Sequence, residues 1–131
     1  YHTVNDTAAG GGQNCAEGIY GITDGSFAKF RTADGLISTG NWYHIVITQS
    51  TSLRKLYLNG VERYTAGGSY SNNTSNATRV NLGAWTFGGN TPGNFFRAID
   101  GEVPIARIYH KYLEPEEVLI NYNAMNERFG L

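Results

Sequence analysis

From Ile19 onward, the chain alternates short apolar segments with glycine-containing turns, and this spacing is the strongest constraint on its fold. Segments this short leave no room for long helices, whereas strands of a few residues fit between the turns. Turn signals at this density predict an all-β sandwich or barrel. The turn pairs are Asp24-Gly25, Asp34-Gly35, Thr39-Gly40, Asn59-Gly60, Gly67-Gly68, Gly88-Gly89 and Asp100-Gly101.

The clearest predicted strands surround one tight turn. Residues 42–49 place apolar side chains on both faces, which predicts a central strand that is covered on both sides. Residues 53–58 form the next predicted strand. Asn59-Gly60 then predicts a type I′ turn, because that turn requires positive φ at both of its central residues. Residues 61–64 should return antiparallel to residues 53–58.

Two further strands and an N-terminal arm complete the predicted organisation. Residues 79–84 and 103–109 are predicted strands, the second with Pro104 at an edge or at a bulge. Residues 1–18 are polar and small and have no sustained periodicity, which predicts an extended arm or loop. The folded domain is predicted to span residues 19–131.

One short helix is predicted near the end of the sequence. Pro115 suits the first helical position, and Glu116 and Glu117 follow where the helix dipole favours carboxylates. Leu113 and Val118 are spaced as a hydrophobic staple. The helix should end near Gly130 and pack on the sheets through one apolar face. That face contains Val118, Leu119, Tyr122 and Met125.

Charge and cysteine content exclude several classes of function. Ten Lys and Arg against eleven Asp and Glu give a net charge of -1, so no basic excess exists to hold nucleic acid or an anionic membrane. Cys15 is the only cysteine, which excludes an intrachain disulfide and a zinc site built from several Cys and His ligands. No apolar run approaches the roughly 20 residues of a membrane-spanning helix. We therefore expect no membrane insertion and no signal peptide.

Two stretches of the sequence resemble laminin-G-like domains. NWYHIVITQSTSLRKLYLNG, residues 41–60, resembles their central hairpin, and residues 99–131 resemble their closing strand and helix. The matching residues are Trp42, His44, Leu56, Tyr57, Leu58, Asn59 and Gly60 in the first stretch, and Gly101, Arg107, Ile108, Tyr109, Leu113, Glu117, Asn121 and Tyr122 in the second. The resemblance implies the concanavalin-A-like jelly roll, a sandwich of two antiparallel sheets with one short C-terminal helix. The final NYNAMNERFGL is most similar to laminin-G-like domains of virion structural proteins of tailed phages.

The resemblance covers residues 19–131 and is poor before them. The family's opening strands are not recognisable in residues 1–18. Either this segment is rebuilt, or a sheet edge is open and another chain covers it, because exposed strand edges invite pairing.

Catalysis finds little support in the sequence. Relatives of this fold that hydrolyse β-glucans carry Glu-x-Asp-x-Glu on one strand, and this motif is absent. The nearest pair, Asp100 and Glu102, has the wrong spacing and lies at a turn. His44 lies in an apolar strand, which favours a packed, hydrogen-bonded core histidine over a catalytic one. We therefore expect no enzymatic activity.

Calcium at the rim of the fold is an open question at this stage. Asp24, Asp34 and Asp100 are candidate ligands, because laminin-G-like relatives often hold Ca²⁺ with loop carboxylates and carbonyls. Each of the three is followed by glycine, however, and an Asp-Gly pair is more often simply a turn. No residue is assigned to a metal, and no cofactor is expected.

The Gly-rich aromatic segment of residues 85–96 is the candidate carbohydrate site. Aromatic faces bind the apolar side of a pyranose ring, and amides bind its hydroxyls. The candidate ligand-binding residues are Trp85, Phe87, Asn90, Asn94 and Phe95, with Phe96 beside them. The alternative is that Trp85 and Phe95 fold back into the core or into an intersubunit contact.

Four Asn-x-Ser/Thr sequences are candidate glycosylation acceptors. Three of them lie in the polar stretch of residues 69–78, for which a solvated loop is the simpler interpretation. The acceptor residues are Asn5, Asn72, Asn73 and Asn76.

Two functions from different classes follow from these observations. The first is a non-enzymatic structural and adhesion module on an extracellular or virion surface, with carbohydrate as its ligand. The second is a purely structural self-assembly protein of a virion or filament with no glycan ligand, in which the loops and the arm bind neighbouring copies. The expected partners are other copies of the chain or other structural proteins, and carbohydrate, but not nucleic acid.

Overall fold

The computed structural model describes residues 2–3, 15–21, 27–68, 85–86, 95–96 and 101–131. Within these residues the chain consists mainly of strands, with one helix at the C-terminal end. The elements are β1 (His2–Thr3), β2 (Ala16–Gly21), β3 (Phe27–Arg31), β4 (Ile45–Gln49), β5 (Leu53–Leu58), β6 (Val61–Gly67), β7 (Trp85–Thr86), β8 (Phe95–Phe96) and α1 (Pro115–Phe129).

The largest described ladder is the antiparallel meander of β4, β5 and β6, with β5 in the middle. Asn59 and Gly60 join β5 to β6 with φ of 51° and 75°, which confirms the predicted turn. β6 continues beyond the predicted end of its strand to Gly67, and its pairing with β5 shifts register between Leu56 and Tyr57.

β4 begins at Ile45, three residues later than predicted. The reason lies in the register, because Ile45 pairs with Leu58, the last residue of β5. His44 therefore lies opposite the turn residue Asn59. Its N–H donates to Asn59 Oδ1 at 2.8 Å, and the Asn59 N–H donates to the His44 carbonyl at 2.8 Å.

A second antiparallel ladder has the order β1, β2, β3, and a third pairs β7 with β8. In the second ladder, His2 pairs with Glu17 and Thr3 with Ala16. These four residues fall inside the segment that we predicted to be an arm. The division into an arm and a domain itself is not tested by the described residues and stays a prediction.

β5, and not the strand of residues 42–49 that we predicted to be central, is the middle strand of the meander, and it is buried on both faces. Among the described strands β4 lies at the edge of this ladder because only β5 pairs with it, and its Ile47 is 47% exposed. Leu56 and Leu58 point to one side and pack in a cluster with Ala16 of β2 and with Ile37. Because side chains alternate along a strand, Tyr57 points to the other side, where it packs with Leu113 and Val118 at the start of α1. The helix thus covers the face of the meander that is opposite to β2.

Both ends of α1 agree with the sequence signals. Pro115 is the first helical residue, and the Glu114 N–H just before it donates to Glu117 Oε2 at 3.1 Å. Leu113 and Val118 pack in one buried cluster, which confirms the predicted staple. The helix ends at Gly130 in the left-handed region, with φ of 63°.

The prediction of a strand over residues 103–109 is wrong. In the part of the chain that the structure describes, these residues belong to no ladder, and most of their side chains are exposed, with Ile108 at 75%. Pro104 has no N–H to donate to a neighbouring strand, and alternation of apolar residues does not by itself supply a strand to pair with. The predicted strand of residues 79–84 lies outside the described residues.

Candidate functional site

β7 and β8 both lie in residues 85–96, the segment that we predicted to bind carbohydrate, and they pair with each other. Trp85 pairs with Phe96, and Thr86 pairs with Phe95. The antiparallel register therefore places three aromatic residues of the segment on two adjacent pairs of backbone positions. The remaining predicted ligand-binding residues, Phe87, Asn90 and Asn94, lie outside the described residues, as do the candidate acceptors Asn5, Asn72, Asn73 and Asn76.

A second aromatic cluster, which sequence reasoning missed, lies at the C-terminal end of α1. The rings of Trp42 and Phe129 are 5.6 Å apart between centroids and are tilted by 55°. The guanidinium carbon of Arg128 lies 5.2 Å from the centroid of the Phe129 ring. Trp42 is 38% exposed, Phe129 is half-buried and Arg128 is exposed. We name Trp42, Arg128 and Phe129 together the Trp42 corner.

Side-chain hydrogen bonds organise the loop that carries Trp42. The Tyr43 hydroxyl accepts from the Ser38 N–H at 2.8 Å and lies 3.0 Å from Ser38 Oγ. Asn41 Nδ2 donates to Ser38 Oγ at 2.9 Å. Gly40 completes the turn with φ of 84°, a conformation that most other residues adopt only with strain. The loop that carries Trp42 is therefore closed by its own hydrogen bonds, and the indole contacts the end of the helix.

The hairpin register contains a sequence signal for the position of Trp42, which we missed because we predicted one strand over residues 42–49. Counting the hairpin register back from the Asn59-Gly60 turn places Trp42 beyond the paired part of β4. A tryptophan at that position lies at the end of the ladder rather than in its covered middle. Arg128 and Phe129 had no comparable local signal, because their approach to Trp42 depends on how the helix crosses the sheet.

His44 packs against the helix, as predicted for a core histidine, but its ring nitrogen is not satisfied. Its ring lies 6.0 Å from the Tyr122 ring, and Nδ1 is buried with no hydrogen-bond partner among the residues described. Burial lowers the pKa of His44 from its ordinary value of 6.5, and the positive charge of Arg107 lowers it further. A neutral histidine against a tyrosine ring is a packing arrangement.

Of the three candidate calcium ligands, only Asp34 lies among the described residues. Asp34 pairs with Arg31, with 3.5 Å between Oδ1 and Nη1, while Asp24 and Asp100 lie outside the described part of the chain. In that described part, no three His, Cys, Asp or Glu residues are grouped as metal ligands would be. Among the same residues, no helix is both long enough and apolar enough to span a bilayer.

Comparison with known proteins identifies the family. A family model described as the concanavalin A-like lectin/glucanases superfamily matches residues 10–119. The match begins nine residues before the domain start that we predicted. Curated proteins give no match. The resemblance of the closing residues to phage virion proteins receives no support from these comparisons.

Among solved structures, the chain is similar to residues 221–444 of an S-layer domain-containing protein from Clostridium thermocellum ATCC 27405. The TM-score is 0.56 at 16% sequence identity, a level at which the likeness shows the fold alone. The match covers 73% of this chain and 45% of that one, so the chain spans under half of the solved S-layer segment.

Proposed function

Since the chain belongs to the concanavalin A-like lectin/glucanase superfamily, we propose that it is a non-enzymatic adhesion module of an extracellular surface whose ligand is carbohydrate. The similarity of its fold to a domain of an S-layer protein supports the surface location. In this proposal the β1–β3 and β4–β6 ladders belong to two facing sheets of a sandwich. The shared cluster of Ala16 from β2 with Leu56 and Leu58 from β5 supports that arrangement.

The observation that carries the carbohydrate ligand is the register of β7 and β8. Trp85 pairs with Phe96 and Thr86 with Phe95, so the backbone gathers indole- and phenyl-bearing residues at one place. The sequence between these two strands contains Asn90 and Asn94, whose side chains are amides. Aromatic faces and amides are the two group types that a pyranose ring requires of a protein.

The non-enzymatic part of the proposal rests on the acidic residues. Retaining glycosidases need two carboxyl groups about 5 Å apart, and inverting enzymes need roughly 6.5–9.5 Å. The sequence has no Glu-x-Asp-x-Glu, and Glu102 is an exposed residue of an irregular segment. Incubation with a mixed-linkage β-glucan should therefore release no reducing ends. Release of reducing ends above the level of a heated sample would contradict this part of the proposal.

A glycan array tests the ligand class directly. The array carries bacterial cell-wall polysaccharides and oligomers of glucose, mannose and N-acetylglucosamine, and it is probed with wild type, Trp85→Ala and Tyr109→Ala. Tyr109 is an exposed aromatic residue before the helix, so Tyr109→Ala is a matched truncation outside the segment. We expect wild type and Tyr109→Ala to bind the same glycans and Trp85→Ala to bind none.

Two results would contradict the carbohydrate proposal. One is a wild-type protein that binds nothing on the array, and the other is Trp85→Ala binding as wild type does. Circular dichroism shows whether Trp85→Ala is folded. If it is not, Asn90→Ala with Asn94→Ala replaces it and should weaken binding without changing the fold.

A different observation favours self-assembly as a second candidate function. Ile108 and Ile120 are 75% and 66% exposed, and the Tyr109 hydroxyl donates to Asn121 Oδ1 at 3.5 Å, which brings the two segments together. Exposed apolar side chains on adjacent segments are typical of a protein contact. Light scattering over a dilution series should then show an oligomer that Ile120→Lys dissociates. A stable wild-type monomer would contradict this second function and leave the first intact.

A further inference from the structure

We propose that the Trp42 corner is a second saccharide site, separate from β7 and β8, and that it binds a carboxylated sugar such as a uronate of an acidic polysaccharide. The juxtaposition that carries this inference is an exposed indole, a phenyl ring and a guanidinium at the C-terminal end of α1.

The two rings provide the apolar part of the site. Trp42 is partly exposed although it contacts Phe129, so part of the indole is free for another group. The tilt of 55° between the rings forms an angle rather than a flat stack. A pyranose ring has an apolar face of C–H groups that stacks on an indole, and the second ring limits where it can lie.

The guanidinium provides the charge. Arg128 is exposed, and among the residues that the structure describes it takes part in no ion pair. Its position in the last turn complements the helix dipole, but that interaction leaves its N–H groups available. Stacked near the Phe129 ring, a planar guanidinium still presents edge N–H groups, whose fork matches a carboxylate.

The rim of the corner favours a saccharide over a protein partner. Ser38, Thr39 and Asn41 are exposed in the loop that carries Trp42, and they bear hydroxyl and amide groups. Their hydrogen bonds to one another fix the loop before any ligand arrives, which lowers the entropic cost of binding. A stable protein interface buries about 800 Å² per partner around a broad apolar centre. Two partly covered rings within a polar rim match one sugar ring better.

The test compares polygalacturonate with the same polymer after methyl esterification. Esterification removes the charge and keeps the sugar ring and its linkage, so a difference in affinity isolates the carboxylate. Dextran sulfate and dextran form a second pair, which shows whether the site recognises sulfate rather than carboxylate. Affinities are measured by calorimetry at physiological salt, because low salt strengthens unspecific attraction between charges.

The variants are Arg128→Ala, Arg128→Lys and a matched control, Arg63→Ala. Arg63 is an exposed arginine on β6, so its removal changes the net charge equally without touching the corner. We expect Arg128→Ala to weaken polygalacturonate binding about tenfold, as for the loss of a charge-assisted pair. Arg128→Lys should recover only part of the loss, and Arg63→Ala should bind within about twofold of wild type.

Trp42→Ala should also weaken binding. Because this variant loses the contact with Phe129, its thermal stability is measured alongside its affinity. Wild type should bind the methyl ester no more tightly than Arg128→Ala binds the acid. Equal weakening by Arg128→Ala and Arg63→Ala would overturn the proposal, as would binding of dextran sulfate alone or of no polymer at all. So would a self-association that Arg128→Ala disrupts, since the corner would then be a protein contact. Trp85→Ala should retain polygalacturonate binding, which separates this site from the proposed primary one.

Discussion

The two ends of α1 meet the rest of the protein in opposite ways. At the first turn, Val118 is fully buried and packs with Leu113 and Tyr57. At the last turn, Arg128 is exposed and Phe129 is half-buried against a partly exposed Trp42. One end of the helix is closed by packing, and the other presents rings and a charge to solvent.

This difference shows that α1 has two roles, stabilising the fold at its first turn and presenting groups to a ligand at its last turn. Mutations at the two ends should therefore have different effects. Burial at the first turn stabilises the fold, because removing apolar surface from water is the main favourable contribution to folding. Open groups at the last turn contribute little to stability and are available to a ligand. Substitutions at the first turn should therefore change the free energy of unfolding, and substitutions at the last turn should change binding.

The largest expected effect comes from Val118→Ala at the closed end. Loss of two buried methyl groups in the cluster with Tyr57 and Leu113 should lower the free energy of unfolding by about 2 kcal/mol. Urea unfolding followed by tryptophan fluorescence measures the loss. Ile120→Ala, an exposed truncation two residues later, is the control and should cost under about 0.5 kcal/mol. Similar losses in both variants would show that the first turn is not the anchor.

The next largest loss of stability is expected at Gly60, where the hairpin turn contacts the helix. A Cβ at Gly60 would lie 3.0 Å from Tyr122 Cδ1, and the residue has a positive φ of 75°. Gly60→Ala should therefore lower the free energy of unfolding by about 2 kcal/mol. Gly35→Ala has nearly the same φ, 76°, but nothing within 4 Å of its Cβ, so it should cost only about 1 kcal/mol. Equal costs would mean that the helix does not press on this turn.

A smaller effect should appear as a pH dependence from His44, midway along the helix contact. Burial favours the neutral ring, so the unfolded chain, with its ordinary pKa of 6.5, takes up a proton more readily than the folded protein. Stability should be constant above about pH 7.5 and decline as the pH falls below 6.5. It should level off once the folded ring is protonated as well.

His44→Gln should remove this decline between about pH 7.5 and pH 5, a window above the ordinary pKa of the carboxylates. Chemical unfolding at each pH provides the measurement. His110→Gln, which replaces an exposed histidine, is the control and should retain the decline. A decline that persists in His44→Gln would place its source elsewhere.

The smallest expected effect on stability is that of Arg128→Ala at the open end. Only a dipole interaction and a contact with the Phe129 ring are lost, together about 0.5 kcal/mol. The melting temperature of the variant against wild type checks this value. A loss of stability as large as that of Val118→Ala would show that the last turn of α1 stabilises the fold as much as the first turn does.

Sequence reasoning recovered the elements whose signals are local. The Asn59-Gly60 turn and the helix from Pro115 to its end at Gly130 follow from backbone preferences and capping within a few residues. The strand over residues 103–109 failed because pairing requires a partner that alternation alone does not supply. The predicted start of β4 at residue 42 was wrong for a related reason, because the end of β5 at Leu58 determines where β4 begins to pair.

The candidate sites divide in the same way. Composition indicated the aromatic segment of residues 85–96 as a candidate site. The pairing of Trp85 with Phe96 across β7 and β8 depends on a register that no local sequence signal gave. The Trp42 corner could not be assembled from sequence, because Trp42 and Phe129 are far apart along the chain. Their contact depends on the direction in which α1 crosses the meander, which packing of Val118 and Tyr122 determines.

Hydrogen–deuterium exchange of the wild-type protein with saccharide added tests the central claim most directly, because it locates binding without a mutation. With tri-galacturonate, the account predicts slower exchange in residues 38–43 and 126–130 and no change in residues 115–120. With a neutral oligosaccharide chosen from the array, it predicts slower exchange in residues 85–96. Exchange that is unchanged in all of these segments, with saccharide bound, would contradict the account.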